Sequence, residues 1–442
     1  MSTHIIVNKK LDSFNKKINI SGDKSLSIRW LLLASQAIGI SKAYNLLESD
    51  DVKSTIKALK QIGVSIIKKN KIYQVEGLGI NNFNIKSNCI INAGNSGTLA
   101  RLILGVISGS SKKIKLIGDN SLSKRDFKRV ILPLQKFGAK IKSKKNSLPI
   151  HFQGNEFCRP IYYQENIGSA QVKSCIMLSA LNTSGTTKIK AKKSRNHTEI
   201  LFKKIGVPIK INSTKNYDII QVKGKNNFSS FDYKIPGDIS SASFFIVLTL
   251  LSKKSKLLLR NININQSRTG LIDCLMKMNC KIIMKNKRKY MGEELSDIYI
   301  ESSKNLRAIN CPVSINSRAI DEMLLLFIVA SVSKGVSRFK NLGELNKKES
   351  KRLNWGFKIL KMIGIKTKKL KNNGIEIFGK PDNKLHGKFE IKNYLKDHRI
   401  FMLSMVIALT LGGKWKIHDK ASIKTSFPHF LKTIKKLGAK FS

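Results

Sequence analysis

Lys24, Ser25 and Arg29 stand together in SGDKSLSIRWLLLASQAIG, where a polar turn runs into an apolar helix. Two cations and a hydroxyl so grouped suit a phosphate or a carboxylate, because the N–H groups at a helix start add their partial charge. Five further polar clusters open equally apolar segments: GNSGTLARLILGVIS, SAQVKSCIMLSALN, GDISSASFFIVLTLL, IDEMLLLFIVAS and DHRIFMLSMVIALTL. Their Asp, Ser, Asn and Gly residues cap helices and leave N–H groups for an anion. An ordinary capping requirement accounts for any one cluster, and Asp321 with Glu322 could be no more than favourable charges at a helix start. Helices this apolar are expected to be buried on most sides. If they pack around shared cores, several positive ends can converge on one anion trap.

The elements that must position these residues recur along the chain. An amphipathic helix, a turn with Gly or Asn, and a short basic strand appear as IKALKQIGVSIIKK, VILPLQKFGAKIK, ILFKKIGVPIKI, LIDCLMKMNCKIIM, FKILKMIGIKTKK and FLKTIKKLGAKF. The turn residues are Gly63, Gly138, Gly206, Asn279, Gly364 and Gly438, separated by 75, 68, 73, 85 and 74 residues. Each is expected to be a left-handed helix stop followed by a strand. Six units of this length are too long for solenoid repeats and suit small α/β subdomains.

Length and composition narrow the class further. With 442 residues, 41% of them apolar and 25% charged, the chain is expected to be globular with two or three domains. Its 82 Lys+Arg against 28 Asp+Glu give a formal charge of +54, yet only 14 of the 82 are Arg. That skew, beside excesses of Ile and Asn, reads as nucleotide bias in the coding DNA, and the scatter of lysines weakens a nucleic-acid reading. Arg is then expected to survive where a rigid bidentate fork is needed. Apolar runs such as Phe244 to Leu251 and Met323 to Ala330 fall short of the roughly 18 to 20 residues that span a bilayer. The N-terminus lacks the pattern of a secretory signal, so a cytoplasmic address is expected. The six cysteines include no CxxC pair and no histidine at zinc spacing, and are expected to be reduced, mostly buried and idle.

Twelve segments in order carry a resemblance: GDKSLSIR (22–29), LLESDDV (46–52), GNSGT (94–98), GDNSLSKR (118–125), SAQVKS (169–174), SRNHTE (194–199), PGDISSASFF (236–245), NQSRTG (265–270), IDE (320–322), KESKR (348–352), DHRIFM (397–402) and SFPHF (426–430). Together they resemble the 5-enolpyruvylshikimate-3-phosphate synthase family, the 3-phosphoshikimate 1-carboxyvinyltransferases. The resemblance implies transfer of the enolpyruvyl group of phosphoenolpyruvate to the 5-hydroxyl of shikimate 3-phosphate, with loss of phosphate and without metal or organic cofactor. It implies shikimate 3-phosphate contacts at Lys24, Ser25, Arg29, Ser169, Ala170, Gln171, Arg195, Asp321 and Lys348. Phosphoenolpyruvate would meet Lys24, Asn95, Gly97, Arg125, Gln171, Arg352 and Arg399. Asp321 would take the hydroxyl proton, with Glu349 and Lys24 on the acid side. Gly97 would leave room for glyphosate at the phosphoenolpyruvate site. His197 and His398 are read as structural.

The fold so implied is a two-domain α/β architecture of six subdomains, three per domain, with buried helices and solvent-facing sheets. One domain would be 21–234 and the other, discontinuous, 1–20 with 235–442, the site lying between them and closing on ligands. A monomer acting on small molecules is expected. Several positions depart from the family pattern. Asp126 stands for Pro and could compete for Arg125; Asn346 stands for Arg; Lys351 stands for an Asp that would partner Arg352; Leu324 stands for Pro; Lys424 is displaced by one residue and is only a weak ligand candidate. Two alternatives stay open. A UDP-N-acetylglucosamine enolpyruvyl transferase shares the repeat architecture, but typically has a reactive cysteine in the loop that here reads GDNSLSKRD. A non-enzymatic basic nucleic-acid-binding protein would show salt-dependent affinity without turnover.

Overall fold

Two kinds of helix alternate through the computed structural model, which describes residues 3–442. In chain order they are α1 (Lys24–Ala34), α2 (Asp50–Gln61), α3 (Gly97–Val106), α4 (Lys128–Lys136), α5 (Ala170–Ala180), α6 (His197–Lys204), α7 (Ile239–Leu251), α8 (Gly270–Lys277), α9 (Met323–Ser331), α10 (Arg352–Met362), α11 (His398–Leu411) and α12 (Phe430–Lys436). The odd-numbered helices are apolar nearly all round and buried, α9 and α11 along their whole length. The even-numbered ones are amphipathic, like α4, which buries Val130, Ile131, Pro133 and Leu134 and leaves its lysines outside. Five of the six buried helices are capped by a side chain: Asp23, Ser96, Ser169, Asp238 and Asp397 accept from the N–H of Leu26, Leu99, Val172, Ser240 and Arg399. At α9 the capping position falls to Glu322, whose side chain makes no such bond.

Each even-numbered helix stops at the turn residue read from the sequence, and all six have positive φ, from +69° at Asn279 to +102° at Gly138. A β-strand follows the first five: Ser65–Lys69, Lys140–Ser143, Ile209–Ser213, Ile282–Tyr290 and Thr367–Leu370. The sixth expectation needs correction. After Gly438 the chain forms no regular strand; Ser442 exchanges two backbone hydrogen bonds with Ile6 instead.

The strands make six small sheets among the described residues. Three of them have the same plan. A parallel pair, such as Tyr162–Glu165 beside Thr186–Lys192, is extended antiparallel by Tyr217–Lys223 and then Ile209–Ser213. These three belong to a unit holding Gly22–Ile235 and Tyr290–Glu293. The second unit holds the chain up to Ser21, Pro236–Lys289 and Glu294–Ser442. Its sheets are completed by early strands: Asn15–Asn19 pairs parallel with Lys256–Asn263, and Ile5–Val7 antiparallel with Gly412–Ile417. In the strand Thr186–Lys192, Thr187, Ile189 and Ala191 are buried while the lysines face outward, which is where period-two alternation puts them. No helix among the described residues is long and apolar enough to cross a membrane.

The unit boundaries fall one residue later than 20/21 and 234/235, and the sequence reading lacked the four residues Tyr290–Glu293. Within the first unit the Tyr290 ring stacks on Tyr233 at 5.7 Å, and its hydroxyl accepts the Lys234 N–H at 3.0 Å. Glu293 Oε1 lies 2.6 Å from His197 Nδ1, both side chains fully buried, which gives His197 the structural role expected of it.

The helix stops have a measurable cost. At Gly206, φ is +83° and a Cβ would meet nothing within 4 Å, so Gly206→Ala tests backbone conformation alone. It should lower stability by about 1 kcal/mol, seen as a lower urea midpoint, and leave turnover unchanged.

Candidate active site

In the first unit the proposed anion contacts cluster at the starts of α1, α3 and α5. Asp23 caps α1, so Lys24 and Ser25 occupy its first turn. Lys24 Nζ lies 2.9 Å from Asp51 Oδ2 on α2, and Asp51 is largely buried, so the lysine is tethered rather than free to sweep solvent. Arg29, one turn further, is buried and donates to Thr198 on α6 and Ser174 on α5. Ser169 caps α5, accepting the Val172 N–H at 3.4 Å, which leaves its hydroxyl proton available to an anion. Ala170 and Gln171 open that helix. Arg195 stands in the turn before α6, next to Ser194, whose Oγ is buried without a hydrogen-bond partner among the described residues.

Gln171 also reaches α3. Its Oε1 accepts from Arg101 Nη1 at 3.0 Å and its Nε2 donates to Thr98 at 2.9 Å. Asn95 donates to Asp119 at 2.6 Å and faces Arg125 Nη2 at 3.5 Å. Gly97 begins α3 beneath both guanidinium groups: a Cβ there would stand 2.8 Å from Arg125 Nη1 and 2.9 Å from Arg101 Nη1. Arg101 is absent from the sequence-derived set. Its guanidinium lies 4.8 Å from the Phe127 ring centroid and donates to the Gly97 and Asp126 carbonyls. The scarcity of arginine was the signal that could have found it. Ser194, inside SRNHTE, was passed over in favour of its neighbour.

The second unit gathers Asp321, Lys348, Glu349, Arg352 and Arg399 from three distant segments. Arg352 is their centre, nearly fully buried at the start of α10. Its Nε and Nη2 meet Asp397 at 2.8 and 3.1 Å, Nη2 also donates to Glu349, and Nη1 meets Asp321 at 3.2 Å. Burial alone would push this guanidinium's pKa down; Asp397, Glu349 and Asp321 reverse that and raise it. Burial would likewise raise the Asp397 carboxyl, and Arg352 outweighs it, holding the carboxyl below the ordinary range. Asp397 also accepts from Ser350 Oγ and from the Arg399 N–H, so it caps α11 and anchors Arg352 at once. Arg399 Nη1 donates to the Asp321 carbonyl at 2.9 Å, and its Nη2 lies 3.7 Å from the carboxylate. Lys348 Nζ is 3.9 Å from the same carboxylate. Asp321 therefore faces three cations drawn from KESKR and DHRIFM.

The departures resolve locally. Asp126 directs its carboxylate to the Lys128 N–H at 2.7 Å, at the start of α4. Asn346 accepts the Leu353 N–H at 3.0 Å and so caps α10 from a distance. Lys351 is exposed, and the partner it was expected to cost Arg352 is supplied by Asp397, 45 residues later. Leu324 is buried in α9. Lys424 is exposed.

Comparison with known proteins agrees in family and fold. The family model described as EPSP synthase (3-phosphoshikimate 1-carboxyvinyltransferase) matches residues 9–434. The 3-phosphoshikimate 1-carboxyvinyltransferase of Ruthia magnifica subsp. Calyptogena magnifica is 37% identical over 431 residues, 97% of each chain. That of Petrotoga mobilis is 36% identical over 432 residues, 96% of this chain and 98% of the relative. A solved EPSP synthase from Acinetobacter baumannii superposes with a TM-score of 0.86 at 31% identity, covering 100% of this chain and 99% of that one. The enolpyruvyl transferase NikO from Streptomyces tendae, at 12% identity and a TM-score of 0.77 over 100% of this chain and 99% of its own, shares the fold.

The Arg352 cage makes a stability prediction. Asp397→Asn leaves a buried guanidinium short of its main counter-charge and should cost about 3 kcal/mol at pH 7. Glu349→Gln should cost less, because Glu349 is about one-fifth exposed. A carboxyl lowered on folding stabilises above its unfolded value and loses that contribution as pH falls. The gap between parent and Asp397→Asn, measured by urea unfolding, should therefore narrow below the ordinary aspartate value of 3.8.

Proposed function

The chain belongs to the EPSP synthase (3-phosphoshikimate 1-carboxyvinyltransferase) family, and from that premise we propose which of its residues carry the reaction. It transfers the enolpyruvyl group of phosphoenolpyruvate to the 5-hydroxyl of shikimate 3-phosphate and releases phosphate. The hydroxyl adds to C2 of phosphoenolpyruvate while a proton reaches C3; loss of phosphate and of a C3 proton then leaves the enolpyruvyl ether. Each substrate carries a phosphate and a carboxylate, so roughly five to six negative charges must be held together. Two unit charges 4 Å apart repel by about 4 kcal/mol at an effective dielectric of 20, so the pair needs cationic partners.

Lys24, Arg125, Arg352 and Arg399 supply these cations around phosphoenolpyruvate, with Asn95, Gly97 and Gln171 shaping its turn. Lys24, Ser25, Arg29, Ser169, Ala170, Gln171, Arg195, Asp321 and Lys348 hold shikimate 3-phosphate. Arg101, which donates to Gln171 and shares the space above Gly97 with Arg125, joins the phosphoenolpyruvate set. Asp321 takes the hydroxyl proton, while Glu349 and Lys24 serve proton delivery to carbon. The observation that carries this reading is the meeting of Asp321 with Arg352, Arg399 and Lys348, groups from three motifs well separated in sequence. The enzyme is proposed to act as a monomer in the cytoplasm on these small molecules, without a nucleic-acid partner.

Phosphate release with both substrates, and with shikimate 3-phosphate alone, tests the assignment. Asp321→Asn keeps the shape and removes the proton acceptor, so turnover should fall on the order of 100-fold or more while calorimetric shikimate 3-phosphate binding stays near that of the parent. Full turnover would remove Asp321 from the role.

Gly97→Ala probes the other substrate. Its methyl would displace the guanidinium ends of Arg125 and Arg101, which can give way at little cost to the fold, and moving those cations should raise the phosphoenolpyruvate KM roughly tenfold. Glyphosate inhibition should weaken by more, and shikimate 3-phosphate binding should not change. Equal inhibition constants for parent and variant would place Gly97 outside the site.

A further inference from the structure

Arg29 and Arg352 are both buried arginines in the proposed site, but they are held by opposite means. Arg352 is caged by carboxylates. Arg29 donates from Nε to Thr198 Oγ1 at 2.8 Å and from Nη2 to Ser174 Oγ at 3.0 Å, while Nη1 meets the Ser25 carbonyl at 3.2 Å. The two hydroxyl oxygens lie 2.7 Å apart, closing a ring along one edge of the guanidinium. Ser174 and Thr198 are about 1% and 2% exposed, so the ring is shielded from water.

We propose that Ser174 and Thr198 are positioning residues for shikimate 3-phosphate, acting through Arg29; the proposal rests on the assignment of Arg29 to that substrate. A planar fork binds an anion well only when its plane is set in advance, and two acceptors on neighbouring nitrogens set it. Neutral hydroxyls do this without opposing the charge, whereas a carboxylate in their place would offset the field that an anionic substrate needs. An adjacent residue on each helix supports the same crossing: Lys173 Nζ lies 2.5 Å from Glu199 Oε1, with side-chain exposures of 0% and 4%. This buried ion pair ties α5 to α6 beside the two hydroxyls, and breaking such a pair is costly enough to keep them in register.

The test uses the full-length enzyme with Thr198→Val, Thr198→Ser, Ser174→Ala and Arg29→Ala. Valine keeps the shape of threonine and removes the acceptor, leaving a charged donor short of a partner. Thr198→Val should raise both the calorimetric dissociation constant and the KM for shikimate 3-phosphate about tenfold, and Ser174→Ala should act in the same direction. The phosphoenolpyruvate KM and kcat should stay near the parent values, and Thr198→Ser should restore both shikimate 3-phosphate constants. A purely packing role would make serine fail as valine does, and that result would overturn the proposal. So would unchanged shikimate 3-phosphate constants in Thr198→Val and Ser174→Ala alongside their loss in Arg29→Ala. If Arg29→Ala itself binds shikimate 3-phosphate like the parent, the assignment of Arg29 fails and the proposal falls with it. Should Thr198→Val not fold, Ser174→Ala decides by the same two constants.

Discussion

A helix that is apolar all round cannot meet water along its length, and six such helices impose their terms on the rest of this chain. Their sides must be covered, so the sheets and the amphipathic helices become an outer layer with one face toward the core. Their first turns still carry unpaired N–H groups that need polar company. Asp23, Ser96, Ser169, Asp238 and Asp397 provide it, and several of the residues proposed to hold substrate, among them Lys24, Gly97, Gln171 and Arg399, stand within a few residues of four of these five caps. Polar groups therefore collect at helix starts because burial has removed the alternatives.

The two units apply that constraint differently. At α1 and α5 the buried guanidinium is oriented by hydroxyls, which suits the anion-binding role proposed for it. At α10 and α11 a guanidinium is surrounded by Asp397, Glu349 and Asp321, and only part of that charge is structural. Asp397 is fully buried and caps a helix, so it belongs to the scaffold. Asp321 and Glu349 are the more exposed pair, at 15% and 21%, which fits the roles with substrate and proton proposed for them. Arg352 thereby connects the scaffold carboxylate to the two proposed for catalysis.

Helix stops and buried helices were legible in the sequence because each depends on a local rule: glycine or asparagine for positive φ, and absence of a polar face for burial. The missing strand after Gly438 and the transfer of Tyr290–Glu293 to the other unit were not, since both depend on pairing partners far away in the chain. The candidate site divides in the same manner. Arg29, Arg125 and Asp321 could be nominated from their motifs, but Asp397 as the main partner of Arg352 could not be read there. The expectation that Lys351 removes a partner came from adjacency along the chain, whereas a buried charge takes its counter-ion from whatever packs against it. Arg101 was missed for another reason: beyond the scarcity of arginine no motif marks it, and its position over Gly97 and Phe127 appears only in the folded chain.

The excess of lysine can be understood from the same architecture. A solvent-facing strand position constrains its side chain only to be soluble, so a drift toward Lys meets little resistance on six outward sheet faces. A buried cation with several acceptors is another matter, because lysine has no planar fork to satisfy them. Arg29, Arg268, Arg352 and Arg399 are the buried arginines among the described residues, and each makes more than one polar contact: Arg268, outside the proposed site, bonds Asp238 and Ser240. Yet Arg159, Arg260 and Arg307 are exposed, so survival of an arginine does not by itself mark a functional site. Burial together with multiple acceptors is the stronger criterion, and Arg268 shows that even this selects for geometry first, with substrate binding as one use of that geometry.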